Sequence, residues 1–275
     1  MLDRFFDWLE DHRKTNIFLL FIYYLGVVLP HEWVGKMTVK IFGGLSRQNY
    51  NLLIAFLVFM GLAGLSILFF RKWKAHPKKT ALSIYIVSTF ILIMLCFKVF
   101  FVVNIEAIHF AQYAGFVLLS YPLFKNSVTT FMISGLAGAI DEWYQYSILA
   151  PQNTNYYDFN DVIINLIGAA IGLIIIKLHQ RKDIGYEWRS FYKNLEFRIL
   201  FVFLIILIGG YLTGYVSIYD DPSNPALFTF VKIPEQSFWT IPPGPPAKFH
   251  VLRPLEGIVL IIAVCGFYFG LNRIY

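Results

Sequence analysis

Charge and cysteine are both scarce in this chain of 275 residues. Only 15% of residues are charged, against about 25% in ordinary soluble domains, while 57% are apolar and mean hydropathy is +0.60. So little polar surface cannot cover a soluble globule, which excludes a cytosolic enzyme, a disordered chain and a nucleic-acid binder. The last exclusion holds despite a net charge of +6 and a pI near 9.1. In a membrane chain a basic excess is explained by position rather than by an acidic polymer partner. The two cysteines, Cys96 and Cys265, lie inside apolar runs. They supply neither a disulfide framework nor a CxxC metal spacing and read as small core residues. No internal repeat or low-complexity tract is evident. A nucleophile motif is missing too, since Ser120 and Ser134 have no adjacent base in sequence.

What the chain has instead is long apolar runs. A spanning helix needs about 20 mostly apolar residues to cross a hydrocarbon core of roughly 30 Å. Eight segments meet or approach that length: 15–29, 52–70, 80–103, 107–124, 128–148, 161–178, 199–219 and 257–273. The expected fold is therefore all-α, a polytopic membrane helix bundle of about eight transmembrane helices. The first run is the weakest, because Pro30 ends it early. Asp3, Asp7, Glu10 and Asp11 spoil the positive n-region that a cleaved signal peptide needs, and no small-x-small site follows. With the N-terminus placed in the cytoplasm, 16 of the 23 Lys and Arg residues fall on inner segments and 6 on outer ones, with Lys98 inside a span. That bias puts both termini inside and the protein in the inner cell membrane. All six tryptophans lie near or beyond span ends, as an aromatic belt favours.

Two stretches read as amphipathic helices lying on the inner surface. Leu2, Phe5, Phe6 and Leu9 fall at i, i+3, i+4 and i+7, and Trp188, Phe191, Tyr192 and Leu195 repeat that spacing among basic residues. The chain then divides into three parts. Residues 1–79 hold the first amphipathic helix and two spans, 80–178 a four-helix core, and 179–275 a basic linker, two spans and an outer loop at 220–256. Eight prolines preclude a long helix in that loop, and Ile241–Pro246 should be extended. It reads as a connector packed on the bundle, with a lid or a docking surface as the alternatives.

Ionisable residues inside spans cost about 2.5–3.5 kcal/mol each at mid-bilayer, so three consecutive spans that carry them at one end stand out. The fourth span opens on Glu106, His109, Gln112 and Tyr113, with His109 and Tyr113 at i, i+4. The fifth closes on Asp141, Glu142 and Gln145, with Gly138 one turn before Asp141. In the sixth, Asp158 caps the helix, and Asp161, Asn165, Gly168 and Gly172 fall in one stripe. The topology puts all three groups at the same outer depth. Gly168 and Gly172 are assigned to helix packing.

The motifs HF-x-x-Y, DE-x-x-Q and D-x-x-D-V-x-x-N-x-x-G-x-x-x-G, in that order on three helices, resemble the VanZ-like family of bacterial membrane proteins. The likeness covers about 80–178, and the family takes its name from a factor associated with teicoplanin resistance. By position, its polar residues correspond to His109, Tyr113, Asp141, Glu142, Gln145, Asp161 and Asn165. Two family cations are absent: Glu106 stands where a Lys is usual, and no Arg follows DE-x-x-Q. The cluster is thus more acidic than the family pattern, which favours a divalent cation or a cationic ligand over an anion.

The resemblance implies a cell-envelope protein that binds or shields a lipid-linked or peptidoglycan-related molecule, as in glycopeptide antibiotic resistance. An intramembrane enzyme acting on a lipid headgroup is the alternative. Asp141, Glu142 and His109 are then its candidate acid, base and proton shuttle. Glu106, Gln112, Tyr113, Gln145, Asp158, Asp161 and Asn165 are the candidate ligand-binding residues in either case. A third reading is an accessory subunit of a larger membrane complex; a transporter has less support, with no inverted repeat visible. The sequence assigns no cofactor and no metal ligands, although His109 beside Asp161 is where a metal reading applies. The bilayer is the one partner that every reading shares.

Overall fold

The computed structural model describes residues 2–30, 37, 40–41, 44–101, 104–149, 151, 155–181, 183, 192–233, 239–240 and 248–274. Their α-helices are α1 (Leu2–Asp11), α2 (Arg13–Tyr23), α3 (Arg47–Lys74), α4 (Lys79–Val99), α5 (Ile108–Phe124), α6 (Ser127–Tyr144), α7 (Phe159–Leu178), α8 (Leu195–Leu212) and α9 (Pro254–Phe269). Five helices are long and apolar enough to cross a membrane: Lys79–Val99, Ile105–Phe124, Phe159–Leu178, Leu195–Leu212 and Pro254–Ile274. The three other expected runs are helical but fall outside this set. Run 15–29 divides between α2 and a π-turn at Tyr24–Val28, and run 128–148 between α6 and a π-turn at Gln145–Leu149. Run 52–70 lies in α3, whose described apolar stretch is Gln48–Gly61.

α7 is the centre of the bundle. All of its residues except Asp161 and Ile171 are buried, as expected for a helix that is apolar on every side. α4, α5, α6 and α9 surround it, so the packed core extends beyond 80–178. Small residues set the closest approach. A Cβ on Gly168 would lie 2.9 Å from the carbonyl oxygens of His109 and Phe110, and one on Gly172 would lie 2.7 Å from Val117 Cβ. The glycine stripe therefore presses α7 directly onto the α5 backbone, the packing role that its spacing predicts. A two-residue turn joins α5 to α6. Lys125 adopts φ 50, which ends α5, and Asn126 Oδ1 then accepts from Val128 N and Thr129 N to start α6.

The amphipathic helix α1 packs on the bundle through part of its apolar stripe and leaves Phe5 and Trp8 exposed. Phe6 and Leu9 are buried, at 1% and 0% exposed, and Phe6 joins the core formed with Val117, Tyr121 and Leu173. Burying each contributes about 1.5–3 kcal/mol, more than the 0–1 kcal/mol typical of a partly exposed ion pair. Apolar contact therefore holds α1, and charge sets its register. Asp3 contacts Lys72 at 2.9 Å and His179 at 2.7 Å, Asp7 contacts Arg181 at 2.8 Å, and Glu10 contacts Lys125 at 2.7 Å. Beneath α1, the wholly buried Lys177 pairs with Asp183 at 2.9 Å, and Asp183 also accepts from Tyr121 and Ser127.

Two expectations need correction. The run 199–219 is not one helix: α8 stops at Leu212, Gly214 takes φ +79, and Val216–Tyr219 forms strand β1. β-branched and aromatic residues after a positive-φ glycine suit an extended chain. β1 pairs in parallel with β2 (Phe228–Val231), in register Val216↔Phe228, so the fold is not purely helical. Glu106 lies in the 3₁₀ turn Asn104–Ala107 that leads into α5, at the start of the apolar span Ile105–Phe124. The second amphipathic stretch falls mostly outside the described residues. Of its four apolar positions, Tyr192 is in a short 3₁₀ turn and Leu195 opens α8. The Ile241–Pro246 segment also lies outside them.

Candidate functional site

The end of the bundle away from α1 is where α5 and α7 begin and α6 ends. Asp158 fixes the start of α7: its Oδ1 accepts from the backbone N–H groups of Asn160 (2.9 Å) and Asp161 (3.2 Å), the capping role that its position predicts. Asp161 then stands in the first turn, where the helix dipole favours a negative charge. Its Oδ2 lies 3.8 Å from His109 Nε2 on α5. Glu142 comes from α6. Its Oε2 accepts from Gln145 Nε2 at 3.1 Å, and Asn165 Nδ2 of α7 reaches its Oε1 at 3.4 Å. Tyr113, wholly buried, directs its hydroxyl to Asp141 Oδ2 at 3.5 Å.

Gly138 makes this convergence possible, because a Cβ there would lie 3.0 Å from Asn165 Cβ. Without a side chain at 138, α6 approaches α7 closely enough for Glu142 to meet Asn165. Asp141 is 0% exposed, His109 and Glu142 are each 2% exposed, and Asp161 keeps a partly open side chain. Among the described residues no Lys or Arg forms an ion pair with Glu142 or Asp161. Glu106 is half-buried and close enough to Asp161 for their charges to interact. The group is therefore acidic, with His109 as its basic member.

One expected ligand residue stands apart. Gln112 directs its Nε2 to Val27 O at 2.7 Å, while Tyr23 donates to its backbone oxygen at 2.9 Å. It ties α5 to α2 and takes no part in the cluster. Its place beside Tyr113 in sequence is misleading, because successive helical residues point about 100° apart.

Aromatic side chains wall the cluster, and sequence spacing alone did not identify them. Tyr24 donates to Ala137 O at 2.8 Å and Tyr157 to Ala139 O at 2.9 Å, both on α6. Above them β2 covers this end: Tyr146 donates to Thr229 O, and Tyr157 N donates to Phe230 O at 2.8 Å. Asn160 anchors the chain that leads into α9 by donating to His250 O (2.7 Å) and accepting from Leu252 N (2.9 Å). Within the 220–256 loop, Thr229, Phe230, His250 and Leu252 are thus tied to the bundle, while Asp220–Pro225 is exposed. A cleft of about 280 Å³ lies beneath the strands, with Tyr156, Tyr219 and Arg253 in its wall. A second cleft, about 470 Å³ and walled mainly by apolar side chains such as Phe59, Ile86, Phe90 and Ile174, opens between α3, α4 and α7.

Compared with known proteins, the chain matches no family model, and no similar curated protein or solved structure is found.

Proposed function

We propose that this is a VanZ-like multi-pass protein of the inner cell membrane, with eight spans, both termini in the cytoplasm and its polar cluster at the outer face. On this reading it binds or shields a lipid-linked or peptidoglycan-related envelope molecule, whose polar head engages the carboxylates and His109. One observation carries the reading. His109, Asp141, Glu142 and Asp161 come from three helices to one buried place, at the end opposite the cation-rich contacts of α1. Polar groups cost free energy at membrane depth, and their collection in one place favours a site over scattered structural bonds. The apolar cleft between α3, α4 and α7 has walls suited to acyl chains.

The test is a pair of variants, Asp141→Asn and His109→Ala, expressed at normal levels in the native membrane. Altered glycopeptide or envelope-stress sensitivity is expected in both. Unchanged sensitivity in both overturns the reading.

A second reading, an intramembrane enzyme acting on a lipid headgroup, draws support from the 3.8 Å approach of His109 to Asp161 beside Glu142. An imidazole and a carboxylate held together out of water form an acid–base pair. Headgroup release from a lipid extract, lost in Glu142→Gln, would favour it over binding alone.

A further inference from the structure

His109, Glu142 and Asp161 each place one ligand-type atom within 4.8 Å of the other two. The donors are one imidazole nitrogen and two carboxylate oxygens from α5, α6 and α7, so no single helical spacing reveals the set. The 3.8 Å between His109 Nε2 and Asp161 Oδ2 is too long for a hydrogen bond. It is close to what two ligands of one ion require: bonds of about 2.0–2.2 Å in a tetrahedral site put donors roughly 3.4 Å apart. Small side-chain rotations close that gap. Two carboxylates this near each other and this buried repel unless a cation or a shared proton lies between them.

Asn165 supplies an independent observation. Its side chain is wholly buried and directed at Glu142, yet its Oδ1 has no hydrogen-bond partner among the described residues. A buried carbonyl oxygen without a donor costs about 1–3 kcal/mol, and a ligand beside Glu142 removes that cost.

We propose that His109 Nε2, Glu142 and Asp161 are the ligands of a divalent first-row transition ion, with Asn165 Oδ1 or water completing its shell. One imidazole with two carboxylates suits Zn2+, Mn2+ or Fe2+, whereas Ca2+ and Mg2+ favour all-oxygen sites. The ion cross-links the ends of three helices. The site rests on donor geometry and stands whether or not the envelope reading holds.

The whole chain, purified in mild detergent and stripped of metal with a chelator, is titrated with Mn2+ and followed by electron paramagnetic resonance. One saturable site per chain is expected, with nitrogen modulation from a single imidazole. His109→Ala abolishes that modulation. Asp161→Asn and Glu142→Gln weaken binding by roughly 100-fold, at the upper end of what losing even an outer-sphere partner costs. Asp221→Asn, in the exposed loop, leaves binding unchanged. If a ligand variant fails to fold, the wild-type titration decides alone. Wild-type protein that takes up neither Mn2+ nor Zn2+ saturably overturns the site. Full binding by all three ligand variants overturns it as well. Neither result depends on glycopeptide sensitivity, so failure of the site and failure of the envelope reading remain distinguishable.

Discussion

His109 and Asp161 face each other at 3.8 Å because Gly168, two turns further along α7, lets that helix rest on the backbone oxygens of His109 and Phe110. The packing of an apolar stripe and the geometry of a polar site are therefore one arrangement. Disturbing either disturbs both.

Gly168→Ala tests this coupling. Its Cβ would meet two carbonyl oxygens at 2.9 Å, and backbone cannot yield as a side-chain tip does. We expect a loss of about 1–3 kcal/mol, read as a lower thermal midpoint in detergent, together with weaker Mn2+ uptake. Gly266→Ala is the counterpart. Nothing lies within 4 Å of its Cβ in the interior of α9, so the helix gains about 0.5–1 kcal/mol.

The buried pair of Lys177 and Asp183 should behave asymmetrically. Asp183→Ala leaves the Lys177 ammonium uncompensated at 0% exposure and deprives Tyr121 and Ser127 of an acceptor. A loss of about 3–5 kcal/mol is expected in denaturation by a strong detergent. Lys177→Met in the same chain removes the stranded charge. The double variant should therefore be more stable than Asp183→Ala alone, and a double variant no more stable than the single would contradict this account.

Acid should loosen α1. Burial acts to raise the Asp3 carboxyl, but bonds and charges from His179 and Lys72 outweigh it and hold its pKa at about 2, below the ordinary 3.8. The folded state therefore holds this proton less tightly than the unfolded chain. The contribution of Asp3 is complete above pH 4 and is lost as pH falls toward 2. His179 is lowered by burial, against the raising influence of Asp3, so the folded state also resists protonation there as pH falls below 6.5. Half-exposure of the Asp3 side chain keeps its share under about 1 kcal/mol. The thermal midpoint of Asp3→Asn should start lower at pH 5 and fall less steeply toward pH 2 than that of the wild type.

Orientation is testable with single cysteines in a background that lacks Cys96 and Cys265. Ser223→Cys, in the exposed turn between the strands, should react with a membrane-impermeant maleimide on intact cells. Lys74→Cys, at the end of α3, should react only after permeabilisation. The reverse pattern would invert the proposed topology and place the polar cluster in the cytoplasm.

Much of the architecture is legible in the sequence because it depends on local composition. Apolar runs mark the helices, Asp158 marks the start of α7, and the glycine stripe marks a close helix neighbour. The cluster was legible in part, since helical spacing places His109, Tyr113, Asp161 and Asn165 on usable faces. It misjudged Gln112, whose direction depends on α2 rather than on its own helix. It took the spacing of α1 as a sign of the membrane surface; Phe6 of that stripe packs on a core that offers Val117 and Tyr121, while Phe5 stays exposed.

The sequence by itself determined that the chain is helical and membrane-like, and which helices carry ionisable groups. Hydropathy is a local property, and so is the cost of a charge in an apolar run. Only the tertiary structure decided that Glu142 joins His109 and Asp161 while Gln112 turns away. That outcome depends on the rotation and separation of three helices, set where Gly138 and Gly168 allow close approach to a neighbouring helix.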